Sequence, residues 1–308
     1  MESVRVAIVQ SAPRLFDRAT SFERMRERVA KCNDADLIVF PEAYVGGYPK
    51  GADFGAVVGM RRPAGRDLFA RYHAAAIEVP GPDGAAIGEL AREARANLVV
   101  GIIERDGGTL YCSVVFFDRD GRLVDKHRKL VPTAQERVIW GRGDGSTLAA
   151  PRLDVGTVGA VICWENYMPL LRSAMYAKGV QIYCAPTVDD RDSWIPTMRH
   201  IAVEGRCFVL SACQHATRAD FPEDWPTDFG DDPETRLIRG GSCVIDPFGE
   251  VLAGPVYGED TIVRAELDLG RRAAAQYDLD VNGHYARPDV FQLHVDERVR
   301  SSIVTKID

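Results

Sequence analysis

Three short runs in this chain, Val4–Gln10, Asp36–Phe40 and Val158–Ile162, are apolar with few interruptions. A strand with one wet face alternates apolar and polar residues, whereas a run without alternation must be covered on both sides. That requirement favours layered folds in which sheets lie between other elements.

The rest of the chain supplies those elements. Helical patterns are expected at Arg18–Asn33, Gly65–Ile77, Asp83–Ala96, Leu170–Lys178 and Trp194–Arg206. Further strands are expected at Leu98–Glu104, Thr109–Asp118, Leu123–His127, Gln181–Ala185, Cys207–Cys213, Gly241–Ile245, Val251–Ala253 and Thr261–Leu267. Asp106-Gly107-Gly108 reads as a hairpin turn. Ala219–Glu234, acidic and aromatic with three prolines, reads as an ordered surface loop. Strands alternate with helices early and then come in runs. That order fits a sheet-rich α/β layer protein better than a doubly wound domain or a regular (β/α)₈ barrel. No repeat or composition shift divides residues 1–308, so one domain is expected, with an irregular tail from about residue 280.

Composition narrows the function classes. A net charge of −7 argues against a nucleic-acid or membrane-surface partner, because both need a basic patch. No segment reaches the length of a membrane span, and the first residues enter a strand without room for a signal peptide. Seven irregularly spaced cysteines fit a reduced, cytoplasmic protein better than a disulfide framework. Six scattered histidines and no Cys-x₂-Cys pair predict no metal, and Arg142-Gly-Asp144 has no adhesion role in such a setting.

Three reactive residues directly follow strands: Glu42, Lys129 and Cys163. Sheet ends are where α/β proteins place reactive groups. Cys163 sits between a strand end and a helix opened by Pro169, where helix N–H groups would favour the thiolate. Glu42 is a candidate base, and the Lys129 ammonium a candidate stabiliser of negative charge. Each also has a plain structural reading: a buried free cysteine, an exposed strand-end glutamate, and a solvated cluster of Lys126, Arg128 and Lys129. Glu136 is equally readable as the third helical residue of a capping box begun by Thr133. His215, which ends a strand, and His284 are alternative partners for Cys163 in a thiol–imidazole dyad.

Phe40-Pro-Glu42, His127-Arg-Lys-Leu-Val-Pro-Thr133 and Gly159-Ala-Val-Ile-Cys-Trp-Glu165 resemble the three motifs of the nitrilase superfamily, in order. The resemblance extends through Trp140-Gly-Arg-Gly-Asp-Gly-Ser146, Cys163-Trp-Glu-Asn-Tyr-Met-Pro-Leu170 and His284-Tyr-Ala-Arg-Pro-Asp289 to the true nitrilase branch of carbon–nitrogen hydrolases. Amidase branches tend to carry Cys-Tyr-Asp or similar after the nucleophile. The resemblance implies a four-layer αββα sandwich that pairs into an eight-layer dimer and larger spiral oligomers, with the tail at a subunit interface. It implies Cys163 as nucleophile, Glu42 as base and then acid, Lys129 as cationic stabiliser, and Glu136 as a second carboxylate. No cofactor is implied. The substrate would be a small organic nitrile, converted to acid and ammonia through a thioimidate and a thioester, with Lys129 and the Trp164 backbone N–H stabilising charge. Tyr48, Thr133, Trp164, Glu165, Pro186, Thr187 and Val188 are the expected substrate-binding residues. An amidase, a cyanide-hydrolysing relative and a non-catalytic oligomeric scaffold are the alternatives.

Overall fold

Alternation along the strands sorts the apolar side chains into three cores. In the first strand Val4, Val6 and Ile8 join one cluster, while Ala7 and Val9 join another on the opposite face. In a later strand Ile182 and Cys184 point into the first cluster, and Tyr183 and Ala185 into a third. Two sheets therefore share a central core, and each has a second core on its outer face.

A computed structural model gives the structure and describes residues 3–225 and 228–300. The first half of the chain holds β1 (Ser3–Gln10), α1 (Arg18–Ala30), β2 (Leu37–Val39), a small hairpin of β3 (Ala56–Val57) and β4 (Met60–Arg61), α2 (Pro63–Ala75), α3 (Pro82–Ala94), β5 (Asn97–Asp106), β6 (Thr109–Phe117) and β7 (Leu123–Arg128). The second half holds β8 (Arg152–Leu153), β9 (Gly156–Ala160), α4 (Pro169–Ala177), β10 (Ile182–Thr187), α5 (Trp194–Gly205), β11 (Phe208–Cys213), β12 (His215–Thr217), β13 (Arg236–Ile245), β14 (Val251–Tyr257), β15 (Thr261–Asp268) and α6 (Gly270–Asp278).

The first sheet runs β15-β1-β2-β5-β6-β7 and the second β12-β13-β11-β10-β9-β8, with β14 also paired to β13. In each, three parallel strands form the middle: β1, β2 and β5 in one, β9, β10 and β11 in the other. Met25 and Val29 of α1 and Ile87 and Leu90 of α3 cover the outer face of the first sheet. Leu171 and Met175 of α4 and Met198 and Ile201 of α5 cover that of the second. The order is helix, sheet, sheet, helix: the αββα sandwich.

Local chemistry sets several boundaries. The Asp17 side chain accepts the Thr20 N–H at 3.0 Å and caps α1. α2, α3 and α4 open on prolines, whose missing N–H costs nothing in a first turn. Three expectations need correction. β13 begins at Arg236, five residues before the apolar run, because its first residues pair with β12. Where that pairing ends, the Gln10 side-chain oxygen takes over and accepts the Gly241 and Ser242 N–H groups. His215 begins β12 instead of ending a strand. The strand expected at Val251–Ala253 runs on to Tyr257, its added residues pairing with β13. The 219–234 loop is pinned where it is described: Phe221 and Trp225 enter the central core, and Trp225 Nε1 donates to Lys50 O at 2.9 Å. Pro226 and Thr227 of that loop lie outside the described residues, as do Met1 and Glu2, where the expected leaderless start falls.

Candidate active site

Glu42 lies three residues beyond β2, in a loop that packs directly on β5. A Cβ on Gly101 would sit 2.1 Å from Pro41 O and 2.7 Å from Glu42 Cα, so only glycine permits that approach. The loop then turns through Ala43 at φ +54°, and Gln214 Nε2 donates to Glu42 O at 2.7 Å. The Glu42 carboxylate is 0% exposed. Its Oε1 accepts from Lys129 Nζ at 2.7 Å and from the Cys112 thiol at 3.5 Å, while Oε2 has no partner among the described residues.

Lys129 directly follows β7, where a period of two separates neighbouring side chains. Lys126 and Arg128 turn one way and bind Glu104 at 2.5 and 2.7 Å. His127 and Lys129 turn the other way, into the protein, and Lys129 is 0% exposed. The basic cluster is thus divided: two of its members lie on one face and the third is buried beside Glu42. Lys129 Nζ donates to Glu42 and, at 2.9 Å, to Glu136 Oε2, and it lies 5.5 Å from the Trp140 ring centroid. An ammonium has three N–H donors, so one remains.

Glu136 is bonded both as a cap and as a partner of the lysine. Its Oε2 accepts the Thr133 N–H at 2.6 Å, as in a capping box, and also Lys129; its Oε1 accepts the Tyr48 hydroxyl at 2.9 Å.

Cys163 follows β9 at φ +50°, a left-handed backbone that costs a non-glycine residue about 1–3 kcal/mol. It opens a 3-10 turn over Cys163–Tyr167, and α4 begins only at Pro169. The expectation that helix amides favour a resting thiolate is therefore corrected. Burial, then the Glu42 charge, push the Cys163 pKa far up, and Lys129 offsets this only in part. Burial also raises Glu42, with Glu136 adding to it and Lys129 and the Cys163 thiol opposing. Burial works against the Lys129 charge, but Glu42, the thiols and Glu136 outweigh it and hold its pKa well above the usual value. At rest, then, the proton sits on sulfur beside a carboxylate whose basicity is increased.

Glu165 bridges the sheets. Its Oε1 accepts the Leu130 N–H at 2.6 Å, and its Oε2 accepts the Ile162 N–H and His127 Nε2, each at 3.1 Å. These bonds lock the turn carrying Cys163 to the strand end carrying Lys129. Burial opposes a charge on His127, but Glu165 outweighs it and raises the imidazole pKa.

A cavity of about 470 Å³ opens over Cys163. Tyr48, Thr133, Trp164 and Val188 line it, together with Glu136. Glu165, Pro186 and Thr187 do not. Glu165 has spent both oxygens on the bridge, Pro186 is buried within β10, and Thr187 faces the sulfur. Sequence reasoning missed Asp189 and Arg191 on the wall. Asp189 Oδ2 accepts Trp164 Nε1 at 2.9 Å, Arg191 binds both Asp189 oxygens, and the guanidinium lies 4.6 Å from the Trp164 ring. The Asp-Asp-Arg-Asp run after β10 was the available signal. The histidine dyad is also corrected. His215 pairs along β13 and His284 packs on Tyr285; neither bonds Cys163 or lines the cavity. Among the described residues no group of three His, Cys, Asp or Glu side chains could hold a metal ion, no helix is long and apolar enough to cross a membrane, and all seven cysteines are unpaired.

A sulfur beside a buried base and a buried cation, at the floor of a cavity, can add to an electrophilic carbon and stabilise the negative charge that develops. Comparisons with known proteins give the family. The carbon-nitrogen hydrolase family model matches residues 5–277. An aliphatic nitrilase of Sinorhizobium fredii is 54% identical, covering 99% of this chain and 100% of its own. A bifunctional nitrilase/nitrile hydratase of Nicotiana tabacum is 48% identical, over 98% of this chain and 88% of its own. Among solved structures, Saccharomyces cerevisiae Nit3, a nitrilase-superfamily member, superposes with a TM-score of 0.72 over 92% of this chain and 97% of its own; at 22% identity this speaks for the fold. The chain belongs to the carbon-nitrogen hydrolase family.

Proposed function

We propose that this chain hydrolyses an organic nitrile to the carboxylic acid and ammonia, with Cys163 as nucleophile, Glu42 as base and then acid, Lys129 as cationic stabiliser and Glu136 as the carboxylate that holds Lys129. The observation that carries the reading is the buried Glu42–Lys129–Glu136 network, with bonds of 2.7 and 2.9 Å, coupled to a thiol on the cavity floor. Glu42 takes the thiol proton as sulfur attacks the nitrile carbon, and the nitrogen is protonated to a thioimidate. Water, deprotonated by Glu42, adds; ammonia leaves, and a second water frees the acid from the thioester. The third Lys129 N–H is the donor available to the reacting nitrogen and oxygen, beside the Trp164 backbone N–H.

The wall of Tyr48, Ile139, Trp164 and Val188 supports a nitrile with an apolar body over free cyanide. The relative from Sinorhizobium fredii makes aliphatic nitriles the first to test. The exposed tail side chains Tyr285 and Phe291 support self-association, and seven unpaired cysteines support a reducing compartment such as the cytoplasm. Ammonia release from an aliphatic nitrile and its matching amide tests the activity. Cys163→Ala should lower nitrile turnover at least about 1000-fold with an unchanged melting temperature. Turnover retained in that variant would overturn the mechanism, and turnover of the amide alone would reassign the substrate.

A further inference from the structure

Thr187 ends β10, is 0% exposed, and does not reach the cavity. Its hydroxyl sits between two partners. The Asp189 N–H donates to Oγ1 at 2.8 Å, and Oγ1 lies 3.2 Å from Cys163 Sγ. A hydroxyl has one hydrogen to give. With the Asp189 amide supplying a proton to the oxygen, that hydrogen has one acceptor among the described residues, the sulfur. β-Branching stiffens the rotamer, and pairing of Thr187 with Cys213 of β11 fixes the backbone. Meanwhile the Cys163 thiol acts on the Glu42 carboxyl as a hydrogen-bond partner, and Glu42 Oε2 has no other partner among the described residues. Sulfur therefore lies between a carboxylate that can take its proton and a hydroxyl that can donate to the thiolate left behind.

We propose that Thr187 is a catalytic residue: its hydroxyl donates a hydrogen bond to Cys163 sulfur and stabilises the thiolate, both as it attacks and as it is expelled. The proposal rests on Cys163 being the nucleophile. It also bears on the product. The tetrahedral intermediate can break its C–N bond, its hydroxyl proton passing through Glu42 to the departing ammonia, and leave the thioester. It can instead break its C–S bond, the proton staying on Glu42, and release the amide with sulfur leaving as thiolate. A donor on sulfur favours the second route.

The test compares Thr187→Val, which removes the hydroxyl at constant shape, with Thr187→Ser, which keeps it. Iodoacetamide alkylation of Cys163 is followed by peptide mass spectrometry at fixed pH, alongside acid and amide formation from one nitrile. Losing a hydrogen bond to a charged sulfur raises its pKa by roughly one to two units. Because nucleophilicity rises about half as fast as pKa, alkylation in Thr187→Val should slow only about 3- to 10-fold. The amide share of product should fall in the same variant, and Thr187→Ser should match the parent in both measurements. A merely structural role predicts the opposite sign, since a loosened strand end exposes Cys163 and speeds alkylation. Alkylation in Thr187→Val at or above the parent rate, or Thr187→Ser slowed as much as Thr187→Val, overturns the proposal. Failure of the nucleophile reading is distinguishable, because it appears as turnover in Cys163→Ala, whatever Thr187 does.

Discussion

The two sheets bring different chemistry to one site. Segments following strands of the first sheet deliver Glu42, Lys129 and Glu136, ionic groups already bonded to one another at 2.7 and 2.9 Å. The second sheet delivers Cys163 and Thr187, neutral at rest, and then Asp189 and Arg191 on the wall. Buried charge is costly unless it is paired, so it is gathered where it compensates itself. The sulfur remains protonated until a reaction partner arrives. One side stores charge and the other creates it on demand.

Lys129→Met attacks the stored charge and should have the largest effect. Two carboxylates lose their cation in a dry site, so stability should fall by about 3–5 kcal/mol in urea unfolding, with no measurable nitrile turnover. The loss should shrink in acid, as the stranded Glu42, already raised by burial, takes up a proton. A variant as stable as the parent at neutral pH would mean that the cluster is not self-compensating.

His127→Gln tests the join between the sheets. The native imidazole pKa is raised, so its contribution is complete below the unfolded value of about 6.5 and is lost as pH rises through the folded value. Near pH 6 the variant should be less stable by about 1.5–3 kcal/mol, the worth of a charge-assisted hydrogen bond, and the gap should narrow towards pH 9. A gap independent of pH would show that His127 is held neutral.

Asp189→Asn loosens the wall alone and should have the smallest effect. The Trp164 hydrogen bond survives, but the charge pair with half-exposed Arg191 does not; such pairs are worth up to about 1 kcal/mol. KM for a nitrile should rise by up to about fivefold with kcat within twofold. A collapse of kcat would show that wall and floor are one unit.

How much of this could be read from the sequence follows the same division. Continuous apolar runs gave both parallel sheet centres, and motifs singled out Glu42, Lys129 and Cys163; Lys129 follows its strand directly, whereas Glu42 and Cys163 each lie three residues beyond theirs. Glu136 was ambiguous because a cap and a catalytic acid use the same spacing, and here the same oxygen accepts both Thr133 N–H and Lys129. Asp189 and Arg191 stayed hidden because their partner, Trp164, lies 25 residues away from Asp189 and only packing joins them. Thr187 was assigned to the substrate because alternation cannot tell a side chain facing a cavity from one facing its neighbour's sulfur. β13 outran its apolar run because its first residues are held by backbone pairing with β12, which leaves no mark in hydropathy.

Glu165 does not line the cavity, yet three bonds to it set the registry between the two halves of the machinery. A bench survey that ranks residues by lost activity would place it among the reacting groups. The cavity mouth can be altered without touching these bonds, whereas any change at this acid would detune the engine beneath it.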